Sequence, residues 1–203
     1  ATGRILGMDI RFVLDKGAYV SLGGMKEPFH AVTMRTVMYA AGPYAVPNAR
    51  VRSHSVFTNH PYSCAFRGFG APQAAYAMEC QMDELAHRLG FDLVEVRRRN
   101  MLRAGDRTIT GQVMLESRGL GLEECLDRVL ERMEWNDRPV APGTGPIRRG
   151  RGLGLFLYGT GVPMLFEGAS CFATLQLDGT LNINVGSTEM GQGLTTALAQ
   201  IAS

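Results

Sequence analysis

This sequence predicts an α+β fold, with mixed sheets packed with helices in two subdomains, on the strength of three patterns. Residues 73–89 keep an apolar stripe at Ala74, Met78, Met82, Leu85 and Leu89, the spacing of an amphipathic helix. Residues 4–15 and 51–58 alternate apolar and polar side chains, the period of half-buried strands. Residues 169–177 and 180–185 alternate again on either side of Asp178-Gly179, which reads as a two-residue hairpin turn because Gly accepts positive φ.

The elements follow in order. In the first strand Met8, Ile10, Phe12 and Leu14 share one face. Residues 28–42 are apolar but aperiodic, with Arg35 in their middle. A buried Arg needs a partner, so Arg35 reads as a surface group, an ion-paired group or a group projecting into a site. Pro43 to Pro47 mark a turn before the second strand. Gly90 is a natural stop for the 73–89 helix. Asp92 and Glu95 form a capping-box pattern that opens a second helix, with Arg97, Arg98 and Arg99 expected on its outer face. A third helix is expected over 121–134, with Leu122, Leu126, Val129, Leu130 and Met133 on one side. Residues 139–149, rich in Pro and Gly, read as a linker between a subdomain over 1–138 and a second over 150–203. Leu153, Leu155 and Leu157 suggest a strand there, and residues 194–201 a final helix.

Two glycine-rich loops each precede a helix. The first is Phe66-Arg67-Gly68-Phe69-Gly70. Its glycines permit a sharp turn and close approach, its Arg offers a fork of donors suited to anions, and its Phe a ring face for a planar ligand. By itself it reads equally as a tight turn flanked by core Phe residues. The second is Thr188-Glu189-Met190-Gly191-Gln192-Gly193, between a strand and a helix start. That is the general recipe for holding an anion on backbone N–H groups, and equally that of a plain turn. Neither loop is a P-loop or a dinucleotide fingerprint. Glu189 is assigned no catalytic role.

Composition excludes several classes. A net charge of +2 on 203 residues gives no basis for binding nucleic acid. Cys64, Cys80, Cys125 and Cys171 are widely spaced, and His30, His54, His60 and His87 lack metal-ligand spacing. Reduced thiols suit a cytoplasmic protein. No apolar run is long enough to span a bilayer. The chain opens at Ala1-Thr2-Gly3 and stops inside an apolar helical pattern at Ile201-Ala202-Ser203, so we expect a segment of a longer polypeptide.

The run Ala65 to Gln73, its helices ending in Glu95-Val96-Arg97-Arg98-Arg99-Asn100, and the later run Thr188 to Gly193 followed by Gln200-Ile201-Ala202-Ser203 together resemble the molybdenum-binding subunit of the xanthine dehydrogenase/aldehyde oxidase family. The resemblance covers nearly the whole chain and implies two subdomains around a cofactor cleft. It implies a molybdenum hydroxylase, which takes the inserted oxygen from water. The cofactor would be molybdenum-molybdopterin, in its plain or cytosine dinucleotide form. Iron–sulfur clusters and FAD would lie on other domains or subunits, and the full-length complex would be a homo-oligomer. Carried over by position, Phe66, Arg67, Gly68, Met190, Gly191 and Gln192 contact the cofactor. Arg35 and Phe69 place the substrate, and Arg35 tilts the expectation towards a heteroaromatic, xanthine-like substrate over an aldehyde.

The chain departs from the family in three places. Xanthine enzymes bring a second Phe after the linker, where this chain reads Tyr158-Gly159-Thr160-Gly161-Val162, so Thr160 or Gly161 would line the site instead. The family's upstream Phe loop is missing. So is its late catalytic Glu, and no residue here is named as the general base. Gly68 stands where carbon monoxide dehydrogenases carry a Cys, which sets that branch aside. The rival readings are a non-catalytic module of the same fold, inactive as an isolated fragment, and a generic phosphate-binding α/β domain. The second is disfavoured by the absence of a Lys-Ser/Thr pair.

Overall fold

Strand β1 (Met8–Gly17) places Met8, Ile10, Phe12 and Leu14 inward and Asp9, Arg11 and Val13 outward, as its alternation predicts. In the computed structural model, which describes residues 2–19, 31–63, 66–136, 140, 143–159 and 168–202, β1 pairs in parallel with β2 (Ala49–Phe57). Parallel neighbours need a crossover, and helix α1 (Ala31–Met38) lies within it. The aperiodic stretch around Arg35 is therefore helical. It is short and rich in β-branched residues, which masks the helical period.

Helix α2 (Ala71–Leu89) buries Ala71, Ala74, Met78, Met82 and Ala86. Leu85 and Leu89, expected on the same stripe, stay about half exposed and line a groove of about 750 Å³ beside β1. Gly90 ends α2 in the left-handed conformation at φ 69°. Helix α3 (Leu93–Asn100) is capped by Asp92, whose carboxylate accepts from Val94 N and Glu95 N at 2.8 and 3.0 Å. Only the Asp half of the expected box is seen in these bonds; the Glu95 carboxylate pairs with Arg99.

Arg97 corrects the expected outer face of α3. It is fully buried, donating to Glu79 Oε2 at 2.8 Å and Asp83 Oδ1 at 2.7 Å on α2. Tyr44 Oη donates to the other Glu79 oxygen at 2.5 Å. Burial and then the Glu79 charge raise the Tyr44 pKa well above its usual range. Burial opposes the Arg97 charge, but bonding to Asp83 and the charge of Glu79 outweigh it and raise its pKa. A buried cation is tolerable only with such partners.

Helix α4 (Leu122–Arg132) contributes Leu126 to the same core, while Val129 and Met133 remain exposed. The expected strand around Leu153–Leu157 does not form: among the described residues this segment has no sheet partner. Leu155 instead inserts into the core beside Met78 and Met82.

The chain divides into two compact units, Ala1–Tyr158 and Gly159–Ser203. The second holds the antiparallel hairpin of β3 (Cys171–Leu175) and β4 (Leu181–Val185), followed by helix α5 (Leu194–Ala202). Its turn is one residue longer than expected. Gln176 and Thr180 close it, with Gln176 N donating to Thr180 O at 2.8 Å, and Gly179 sits at φ 85°. This is the three-residue class, in which a left-handed residue re-enters the strand. Among the described residues of this unit none is buried. Among the described residues of the whole chain no helix is long and apolar enough to cross a membrane.

Candidate functional site

The first glycine loop is held from behind. Phe69 N donates to Phe66 O at 2.7 Å and Ala71 N to Gly68 O at 3.0 Å, two successive turns that feed α2. Gly68 and Gly70 have φ of 86° and 109°, which suit Gly alone. Gly70 also lies against α1: an added Cβ would come within 2.3 Å of Val32 O and 2.7 Å of Thr36 N. Thr36 Oγ1 is within hydrogen-bonding reach of Gly70 O at 3.2 Å. Gln73 Oε1 accepts the Gly70 N–H at 3.0 Å, and Pro72 in the first turn has no N–H to leave unpaired.

With its backbone fixed, the loop turns its side chains outward. Phe66 is 81% exposed. Arg67 is exposed and makes no ion pair or hydrogen bond among the described residues. Phe69 turns the other way. The Arg35 guanidinium lies over its ring, 4.1 Å from the centroid. Arg35 is 1% exposed, donates to the Tyr158 hydroxyl, and lies 5.3 Å from the Tyr158 ring. Tyr39 and Phe156 each stack on Tyr158, at 5.3 and 6.0 Å.

The structure thus joins Arg35 and Phe69, two residues the sequence singled out separately. It adds Tyr158, Tyr39 and Phe156, which sequence reasoning missed. The only sequence signal was aromatic spacing in Phe156-Leu157-Tyr158. Thr160, expected to line the substrate site, lies outside the described residues.

The second glycine loop is held from within. Glu189 Oε1 accepts from Gly191 N at 2.6 Å and Gly193 N at 3.1 Å; Oε2 accepts from Thr195 N at 3.0 Å. Gln192 Oε1 accepts from Met190 N at 2.6 Å, and its Nε2 donates to Thr188 O at 2.8 Å. The N–H groups expected to hold an external anion thus hold an internal one. The Thr195 N–H, with those of Gly193 and Gly191, keeps the Glu189 pKa below its usual value. Met190 is 60% exposed. Among the described residues no group of three or more His, Cys, Asp or Glu could hold a metal ion directly.

Two family models, each described as a molybdopterin cofactor-binding domain, match residues 1–101 and 128–203. The chain belongs to the molybdopterin cofactor-binding domains of the xanthine dehydrogenase and aldehyde oxidoreductase molybdenum-binding subunits. The cofactor of this family is molybdopterin, and its members are molybdenum-dependent oxidoreductases. The chain is 34% identical to the xanthine dehydrogenase molybdenum-binding subunit of Escherichia coli, over 99% of this chain and 26% of that protein. It is 32% identical to the aldehyde oxidoreductase of Megalodesulfovibrio gigas, over 94% of this chain and 20% of that protein. Among solved structures, quinoline 2-oxidoreductase from Pseudomonas putida matches with a TM-score of 0.64 at 25% identity, over 99% of this chain and 27% of that one. The chain spans between a fifth and about a quarter of the length of these relatives. Both the expected family and the α+β class are borne out.

Proposed function

We propose that the chain is the central part of the catalytic subunit of a molybdenum hydroxylase, which oxidises a heteroaromatic, xanthine-like substrate or an aldehyde. One observation carries this reading. The first loop fixes its backbone against α1, yet presents an exposed guanidinium with no ionic partner among the described residues. A preorganised donor fork of that kind fits an anionic or oxo-bearing group. Exposed Phe66 beside it fits the flat body of a pterin, so the residues present suit the cofactor. The molybdenum-molybdopterin cofactor, when bound, would supply at its metal a two-electron redox centre for oxidising a substrate carbon with oxygen taken from water.

The residues of the chain do the rest. Phe66, Arg67 and Gly68 bind the cofactor from the first loop; Met190, Gly191 and Gln192 do so from the second. Phe69 and Arg35 place the substrate, with Thr160 as a further contact. The Tyr158 hydroxyl already occupies one Arg35 nitrogen, so a substrate that needs that nitrogen must displace it. That favours substrates placed by ring contact over those demanding bidentate recognition. None of these residues is a general base, and the isolated chain is expected to be inactive. The subdomains are assigned residues 1–138 and 150–203, joined by the 139–149 linker, although residues up to Tyr158 pack with the first unit. Iron–sulfur and flavin domains or subunits carry the electrons away, in a cytoplasmic homo-oligomer.

The test is Arg67→Ala in the full-length protein. Molybdenum and pterin content should fall about tenfold or more, the size expected for losing charge-assisted hydrogen bonds. The thermal midpoint of the cofactor-free protein should not move, because Arg67 makes no hydrogen bond or ion pair among the described residues. Unchanged metal content with unchanged turnover would sink the reading.

A further inference from the structure

The second glycine loop has a carboxylate where an anion-binding loop would have a vacancy. Glu189 takes three backbone N–H groups, from Gly191, Gly193 and Thr195, and reaches Thr195 Oγ1 at 3.4 Å. These donors open helix α5, where unpaired N–H groups and the helix dipole favour negative charge. Gln192 closes the other half of the loop, between Met190 N and Thr188 O. Its Nε2 has a second hydrogen beyond the bond to Thr188 O.

We propose that Glu189 is a positioning residue, whose carboxylate sets the shape of the loop around Met190-Gly191-Gln192 and keeps the backbone N–H groups of Gly191, Gly193 and Thr195 from taking an external phosphate. The proposal rests on reading that turn as a molybdopterin contact. The Glu189 carboxylate does not act as a base. A base needs a free lone pair and a pKa near the working pH, whereas this carboxylate is occupied by several donors and its pKa is lowered. The turn therefore meets the cofactor through the Gln192 amide and the Met190 side chain, with Gly191 allowing close approach, and not as an anion nest. Only a carboxylate satisfies this set of donors. A Gln at 189 would keep one acceptor oxygen and turn an NH₂ group towards an N–H.

The experiment compares the full-length protein with Glu189→Gln and Gln192→Ala. It measures amide exchange over residues 188–196, with the β3–β4 hairpin as control, and pterin content per chain. In Glu189→Gln, exchange at Gly191, Gly193 and Thr195 should quicken about tenfold or more, the effect of losing hydrogen bonds to a charged group. Hairpin exchange should hold, and pterin content should fall several-fold. Faster exchange with full pterin content in Glu189→Gln, alongside pterin loss in Gln192→Ala, overturns the positioning role but leaves the turn as a cofactor contact. Full pterin content in Gln192→Ala removes that contact, and the proposal with it. The unsubstituted protein gives a check that needs no variant to fold. Its protection at these three amides should weaken as pH falls below the ordinary Glu value of 4.5, and protection that ignores pH through that range overturns the proposal.

Discussion

The two glycine-rich loops reach rigidity by opposite routes. The first borrows it from the rest of its unit: Gly70 is pressed on α1, and α2, which the loop feeds, is anchored to α3 through Arg97. The second makes its own, from Glu189 and Gln192 acting on backbone within six residues of Glu189. A loop held by its scaffold is free to turn its side chains outward, as Phe66 and Arg67 do. A loop held by its own side chains has fewer of them left to offer. The lesson is that a glycine-rich turn before a helix does not by itself define an anion site; what already fills its N–H groups decides.

The sharpest way to break this contrast is Arg97→Ala. Removing the cation strands Glu79 and Asp83 and should destabilise the first unit by about 3–5 kcal/mol, as for other broken buried ion pairs. Chemical denaturation followed by amide exchange should show the 66–70 loop loosening with α2 and α3, while the 188–193 loop is unmoved. Equal loosening of both loops would mean that the second also leans on the scaffold.

Gly70→Ala comes next. The new methyl meets Val32 O and is forced into positive φ, so a loss of about 3 kcal/mol follows from crowding and backbone strain together. A thermal midpoint within a degree or so of the parent would show that the loop is not seated on α1.

The smallest effect is acid titration of the first unit. Thr58 and His60 side chains and the Gly17 N–H hold the Asp15 pKa down at about 2, from an ordinary 3.8. Because the folded value is the lower one, this stabilisation is complete above about pH 4 and fades as pH falls towards 2. Carboxyl NMR should give that midpoint. The 66–70 loop, whose turn bonds are backbone to backbone, should keep its protection over the same range. A midpoint at the ordinary Asp value would show that the Thr58 and His60 bonds do not persist in solution.

Much of the fold was legible in the sequence because helix and strand periods are local. The α2 stripe, its Gly90 stop, the Asp92 cap and the β3–β4 hairpin are each written within a few residues. Every partner of the Glu189 lock lies within six positions, but sequence reasoning gave Glu189 no role. Spacing alone left open whether those N–H groups faced inward or outward.

Tertiary structure alone decided the fate of three arginines. Arg97 carries the charge of a surface residue, and only Glu79 and Asp83, brought alongside from α2, make its burial tolerable. Arg35 is seated by Phe69 and by Tyr158, 123 positions away along the chain. Arg67 remains exposed because the loop backbone is fixed from the opposite side. Periodicity states which face a residue occupies in its own element. It carries no information about which distant side chain the fold sets against it, and in a low-dielectric interior that partner decides whether a charge supports the fold or faces a ligand.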